Sequence, residues 1–169
     1  MIDREYLQFL GASEKHLRLA DFLAEQTESA HFVDYASLNL MAIPDLVPHI
    51  WVLDFRDGIS AGLLFKFSGT KIDERFGENL MGKRLEEVYD GHFNDQVFNA
   101  YRDVYRKRQG VFVTRSDFYE RHGENSERSI AVMLLPCSSN GLKINYGLGL
   151  TTFELTDNSD LAEPQITFL

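Results

Sequence analysis

Between residues 111 and 153 the sequence holds three successive strand-like stretches separated by turn signals, the first and last of them alternating apolar and polar side chains. "VFVTRSDFYE" (111–120) leads through the polar run "RHGENSE" to "RSIAVMLLP" (128–136), and Ser-Ser-Asn-Gly (138–141) then opens "LKINYGLGLTTF" (142–153). A period of two puts successive side chains on opposite faces of a strand, and connections this short join antiparallel neighbours. Three antiparallel strands in succession are therefore expected in the C-terminal half. Leu142, Ile144, Tyr146, Leu148 and Leu150 share one face of the last strand. Gly147 and Gly149 fall on the other, leaving a bare patch that the first helix or a ligand can approach.

Upstream, "IWVLDF" (50–55), an Asp57-Gly58 turn signal and "LLFKFSG" (63–69) predict two more strands joined by a tight loop. Strict alternation sets Leu63, Phe65 and Phe67 on one side, with Leu64 and Lys66 on the other. Residues 71–89 read as short helical pieces punctuated by Gly77 and Gly82, each a C-cap or a turn. The spacing of Val97, Phe98, Tyr101, Val104 and Tyr105 predicts a helix over 94–108, stopped by Gly110, with Phe93 and Phe98 as a staple around an Asn94 cap.

A further helix is expected over 13–28, capped by Ser13 with Glu14 in its first turn. Leu17, Ala20 and Ala24 form one stripe, and Leu19, Phe22 and Leu23 widen it. More than one side is apolar, so this helix packs on its own domain or meets a second copy. Leu17, Leu19, Phe22 and Leu23 are thus the candidate contacts to a dimer mate or partner. Residues 31–49 look irregular and end in "IPDLVPH", whose prolines disfavour helix in the residues before them.

The order helix, two strands, short helices, long helix, three strands predicts an α+β fold: a five-stranded antiparallel sheet with helices over one face, plus an N-terminal helix. The expected division is an N-terminal helical extension (1–30), the main domain (31–153) and an acidic, loosely held tail (154–169).

A net charge of −9 argues against a general nucleic-acid surface, which needs clustered cations. The one locally basic stretch, "YRDVYRKR" (101–108), precedes Gly110, where the negative end of a helix dipole favours cations. A single cysteine, Cys137, excludes an internal disulfide and any metal site of several thiolates, which suits a reducing cytoplasm. No apolar run approaches the roughly 18 residues of a membrane span, and "MIDREYLQFL" carries acids where a secretory signal has basic and then apolar residues. A cytoplasmic protein with neither membrane nor nucleic-acid partner is the expectation.

The proline connector "IPDLVPHIWVLDF", then "LLFKFSGTKIDERFGENLMGKRLEEV", and later "MLLPCSSNG" before a glycine-containing last strand, resemble a bacterial subfamily of short, often stand-alone PAS proteins. The likeness covers residues 20–153. It implies the PAS fold, in which two short helices lie over the sheet and any ligand sits between them and the strands. The residues read as facing that space are Phe65, Phe67, Phe76, Met81, Phe98, Tyr101, Met133 and Tyr146. They either wall a pocket with hydroxyls to orient a small organic ligand or meet one another and fill the space. Arg115 or Asp117 can supply a charged contact there or stand on the outer face.

Chemistry is sparse. No nucleophile elbow, H-E-x-x-H or C-x-x-C occurs, and the adjacent Asp73 and Glu74 would point about 100° apart on a helix. Haem is not expected: His92 is the one histidine near the long helix, and His49 reads as structural. Nor is flavin photochemistry, since Cys137 ends a strand where light-sensing relatives place a helical cysteine. The expectation is a non-catalytic regulatory module, a homodimer acting on another signalling protein, with or without a small ligand. The competing expectation is an enzyme or carrier using the same cavity.

Overall fold

The computed structural model describes residues 2–27, 32–89, 95–121, 124–155 and 163–169, the side chains of 117–128 and 155 excepted. His92, Phe93 and Asn94, and the side chain of Asp117, lie outside the described residues.

The alternating C-terminal half forms an antiparallel meander. Strand β3 (Val111–Arg121) pairs with β4 (Glu124–Cys137) from Val111↔Leu134 to Arg121↔Glu124, and β4 pairs with β5 (Tyr146–Leu155). The other edge of β5 receives β1 (Ile50–Asp54), which pairs with β2 (Leu64–Ser68). Among the described residues the sheet has six strands, not five, in the order β2-β1-β5-β4-β3-β6. The sixth, β6 (Gln165–Phe168), comes from the tail expected to be loosely held and covers Val111–Thr114 of β3. Its sequence, "QITF", is too short for periodicity to stand out. Ile166 and Phe168 pack on the core beside it, with the Lys107 ammonium 4.3 Å above the Phe168 ring.

Helices cover both faces of the sheet rather than one. On one face lie α3 (Thr70–Phe76), α4 (Leu85–Val88) and α5 (Asp95–Lys107), meeting Trp51, Leu53, Ile130, Val132 and Leu134. On the other lie α1 (Arg4–Phe9), α2 (Glu14–Gln26) and the 3-10 turns of the proline connector, meeting Ile50, Val52, Met133, Leu135 and Leu150. The reason is in the central strands: "IWVL" is buried at every position, and a strand apolar on both faces needs cover on both. Leu17, Leu19, Phe22 and Leu23 are all buried in this second core, so they are not available as contacts to a dimer mate or partner. Among the described residues no helix is long and apolar enough to cross a membrane.

Strict alternation fails once, in β2. Val52 pairs with Phe67 and Leu53 with Phe65, so Lys66 is an extra residue and the register shifts there. A bulge of one residue moves every side chain beyond it to the opposite face. Phe65 therefore enters the core under α5, whereas Phe67 packs on the core under α2. The loop between the two strands is also longer than a tight turn, running over residues 55–63.

His16 anchors α2 to the sheet. Its Nδ1 accepts from the Ser13 backbone N–H at 3.2 Å, which places the ring proton on Nε2, donating to the Ala131 carbonyl at 3.2 Å. The ring lies edge-on to Phe112 at 5.3 Å. Burial lowers the pKa from 6.5 to about 4, so the folded chain holds the imidazole neutral. The sign follows: the contribution is complete above pH 6.5, where neither state is protonated, and is lost as pH falls toward 4 because the unfolded chain takes up the proton first. Between pH 7 and pH 5 this group should remove about 2 kcal/mol of unfolding free energy. Denaturant titrations at both pH values check it: His16→Gln should flatten the pH slope by that amount, and an unchanged slope would contradict the assignment.

Candidate functional site

The space under α3, α4 and α5 is a small cavity within the fold, and its walls form from the chain outward. Gly77 ends α3 at φ 76°, donating to the Asp73 carbonyl at 2.8 Å, and Gly82 at φ 80° donates to the Phe65 carbonyl at 2.9 Å. Both conformations favour glycine, and together they turn the short helices back onto β2. Asp73 holds that turn: Oδ2 accepts from Asn79 Nδ2 at 2.8 Å, and Oδ1 accepts from the Ser68 hydroxyl. The segment after Gly82 runs along the free edge of β2, with Leu64 bridged to Arg84.

The floor is set by Trp51. It stands opposite Gly149 in the β1–β5 register, and a side-chain carbon on that glycine would lie 2.3 Å from the indole. Gly147 in the same way meets Phe55. The bare patch foreseen on β5 is thus covered by aromatic rings of the neighbouring strand and its exit, not by the first helix or a ligand. Trp51 Nε1 donates to Thr151 Oγ1 at 2.8 Å, satisfying its one donor inside the core. Phe65 and Tyr101 pack against the indole at ring distances of 5.9 and 5.6 Å.

Toward the far end, Phe76 and Tyr89 meet edge-on at 5.0 Å, and Phe98 backs Tyr89 at 6.0 Å. Arg115 Nη2 donates to the Tyr89 hydroxyl at 3.0 Å. The space left between these groups is about 30 Å³. That is room for about one water molecule. Burial raises the Tyr101 pKa, so its phenol stays neutral.

Of the eight side chains expected to face this space, Phe65, Phe76 and Tyr101 line it, and Phe98 belongs to the same core. Phe67, Met133 and Tyr146 lie on the opposite face of the sheet, and Met81 is largely exposed. The Phe67 error comes from the bulge. Met133 sits in an apolar run with no polar residue to mark its side, and Tyr146 lies on the leucine face of β5, which packs under α2 rather than under α5. Trp51, Tyr89, Thr151 and Phe153 were missed as lining residues. A signal for two of them was present: glycines on one strand face call for large side chains on the neighbour, and Thr151 shares that face.

Cys137 is fully buried on the opposite face, with its thiol pushed up to about 12 by burial. His49 makes its Nδ1 contact with the Thr151 carbonyl at 3.0 Å, and burial lowers its pKa. Among the described residues no three histidine, cysteine or acidic side chains are grouped to hold a metal ion.

No family model and no curated protein matches the chain. Among solved structures, an RNA-binding light-oxygen-voltage receptor is similar at 12% identity and a TM-score of 0.46, over 70% of this chain and 34% of that one. The Vibrio cholerae VqmA dimer is similar at 19% and 0.43, over 71% of this chain and 54% of that one. A fungal LOV domain photoreceptor is similar at 15% and 0.44, over 83% and 94%. The chain thus spans about a third of the first and about half of the second. Its own elements make it an α+β domain of helices and antiparallel sheet.

Proposed function

We propose that the chain is a PAS-type regulatory module of the cytoplasm, without catalysis of its own, that works as a homodimer bound to another signalling protein. The observation that carries this reading is the filled interior. Trp51 packs against Phe65 and Tyr101, Phe76 against Tyr89, and about 30 Å³ is left between them, so the activity is expressed through surfaces. The strand order β2-β1-β5-β4-β3, with the helices inserted between β2 and β3, agrees with the sequence resemblance. The enzyme or carrier reading needs that interior to open.

With the α2 leucines buried, the contact surface moves to α1, where Phe9 is 85% exposed and Tyr6 stands beside it at 42%. Native mass spectrometry of protein purified without added cofactors tests both points. The expected species is two chains with no retained molecule, and Phe9→Asp should convert it to one chain while stability stays within about 0.5 kcal/mol, as for a surface position. An apolar organic molecule released on denaturation would refute the filled interior. A Phe9→Asp protein that remains paired would refute the α1 contact.

A further inference from the structure

A second recess, about 530 Å³ in volume, lies outside the core between the β1–β2 loop and α5. Ile59, Ser60, Ala61 and Gly62 form one wall, with Glu86, Arg102 and Arg106 opposite. The volume falls in the range of small-molecule sites, about 300 to 1,000 Å³.

Its polar groups are arranged in advance. Glu86 Oε2 accepts the Leu63 backbone N–H at 2.9 Å, while Oε1 accepts Arg102 Nη2 at 2.9 Å. One carboxylate thereby ties the loop to the helix and is occupied on both oxygens. Arg102 is held further by Nη1 donating to Asn99 Oδ1 at 3.3 Å and by the Phe98 ring 5.7 Å from its guanidinium. Arg106 follows one turn later on the same recess, and its ion pair with Asp103 is long, at 3.6 Å.

Two guanidiniums at i and i+4 repel, by a few tenths of a kcal/mol on a helix surface. A group that accepts hydrogen bonds from both relieves that repulsion. Each Glu86 oxygen already accepts one bond, and the other polar side chains of the lining, Arg102, Arg106 and the Ser60 hydroxyl, are chiefly donors. Small side chains at Ser60 and Ala61 keep the opening wide. The lining carries Arg102 and Arg106 against the single acid Glu86, a local excess of positive charge that favours an anion on a chain of net charge −9.

We propose that this recess binds a small molecule through a carboxylate or phosphate group, held in the fork geometry that guanidinium offers to both. The site is separate from the interior cavity and does not depend on whether the chain acts through partners.

The test is a titration of the full-length, isotope-labelled chain with inorganic phosphate and, separately, with succinate, at constant ionic strength, followed by amide chemical shifts. Saturable shifts are expected at residues 59–62 and along 99–106, with a dissociation constant of about 1 mM or tighter for the matching anion. Arg106→Gln is expected to weaken that binding at least about threefold, and its thermal midpoint should stay unchanged because the side chain is at the surface. Saturation by phosphate alone would assign a phosphorylated ligand, and saturation by succinate alone a carboxylic acid. Shifts that are linear in concentration, scattered over the surface or unaffected by Arg106→Gln would mean an adventitious ion only and overturn the proposal.

Discussion

Gly149→Ala should destabilise the protein by about 3 kcal/mol, the upper part of the usual range for overpacking a filled core. The added carbon would sit 2.3 Å from Trp51 Cε2 and 2.6 Å from two further ring atoms. The indole cannot retreat cheaply. Its Nε1 is bonded to Thr151 at 2.8 Å, and Phe65 and Tyr101 close the side away from the strand. Urea unfolding gives the number directly. A second substitution makes the cause specific: in Trp51→Phe the smaller ring leaves space, so adding Gly149→Ala should cost at least about 1 kcal/mol less than it does in the parent. A Gly149→Ala protein within about 0.5 kcal/mol of the parent would mean that the indole does not lie over this strand.

Leu19→Ala should cost about 3 kcal/mol, from lost burial plus the cavity left between α2 and the sheet. Leu19 has no exposed surface within a single chain. The loss should therefore be the same at every protein concentration, whereas a residue of a dimer contact would show a loss that shrinks on dilution, as parent and variant both become single chains. Unfolding midpoints measured over a hundredfold range of concentration separate the two. A concentration-dependent loss would return α2 to the subunit interface.

The parts legible in the sequence are those with a clear period. Strands β3 and β5 follow from alternation, β4 from an apolar run between two turn signals, and α5 from the three-to-four spacing of Val97, Phe98, Tyr101 and Val104. The α+β class follows from their order. What was not legible depends on pairing between distant segments. The phase of Phe67 turns on one extra residue, Lys66, which is visible only against its partner strand. The apolar run "IAVMLL" contains no polar residue to reveal which side Met133 takes. Leu19 and Leu23 were recognisable as an apolar surface, but their partner, the outer face of a sheet buried on both sides, is a property of the assembled fold. The recess beside α5 unites residues 59–62 with 86, 102 and 106, a juxtaposition that no local pattern encodes.

The pairing of β1 with β5 also bears on how quickly the chain finds its structure. Ile50 lies against Leu150, so the middle of the sheet closes only when segments far apart along the polypeptide meet. The entropy of closing so large a loop must be met before the Trp51 contacts repay it, which places the chain among slow folders of high contact order, on the order of milliseconds to seconds. The β3–β4 hairpin, local and long, is the natural early nucleus, with β1 docking late beside β5. Mutations in that hairpin should then act mainly on the folding rate, and those in β1 on the unfolding rate.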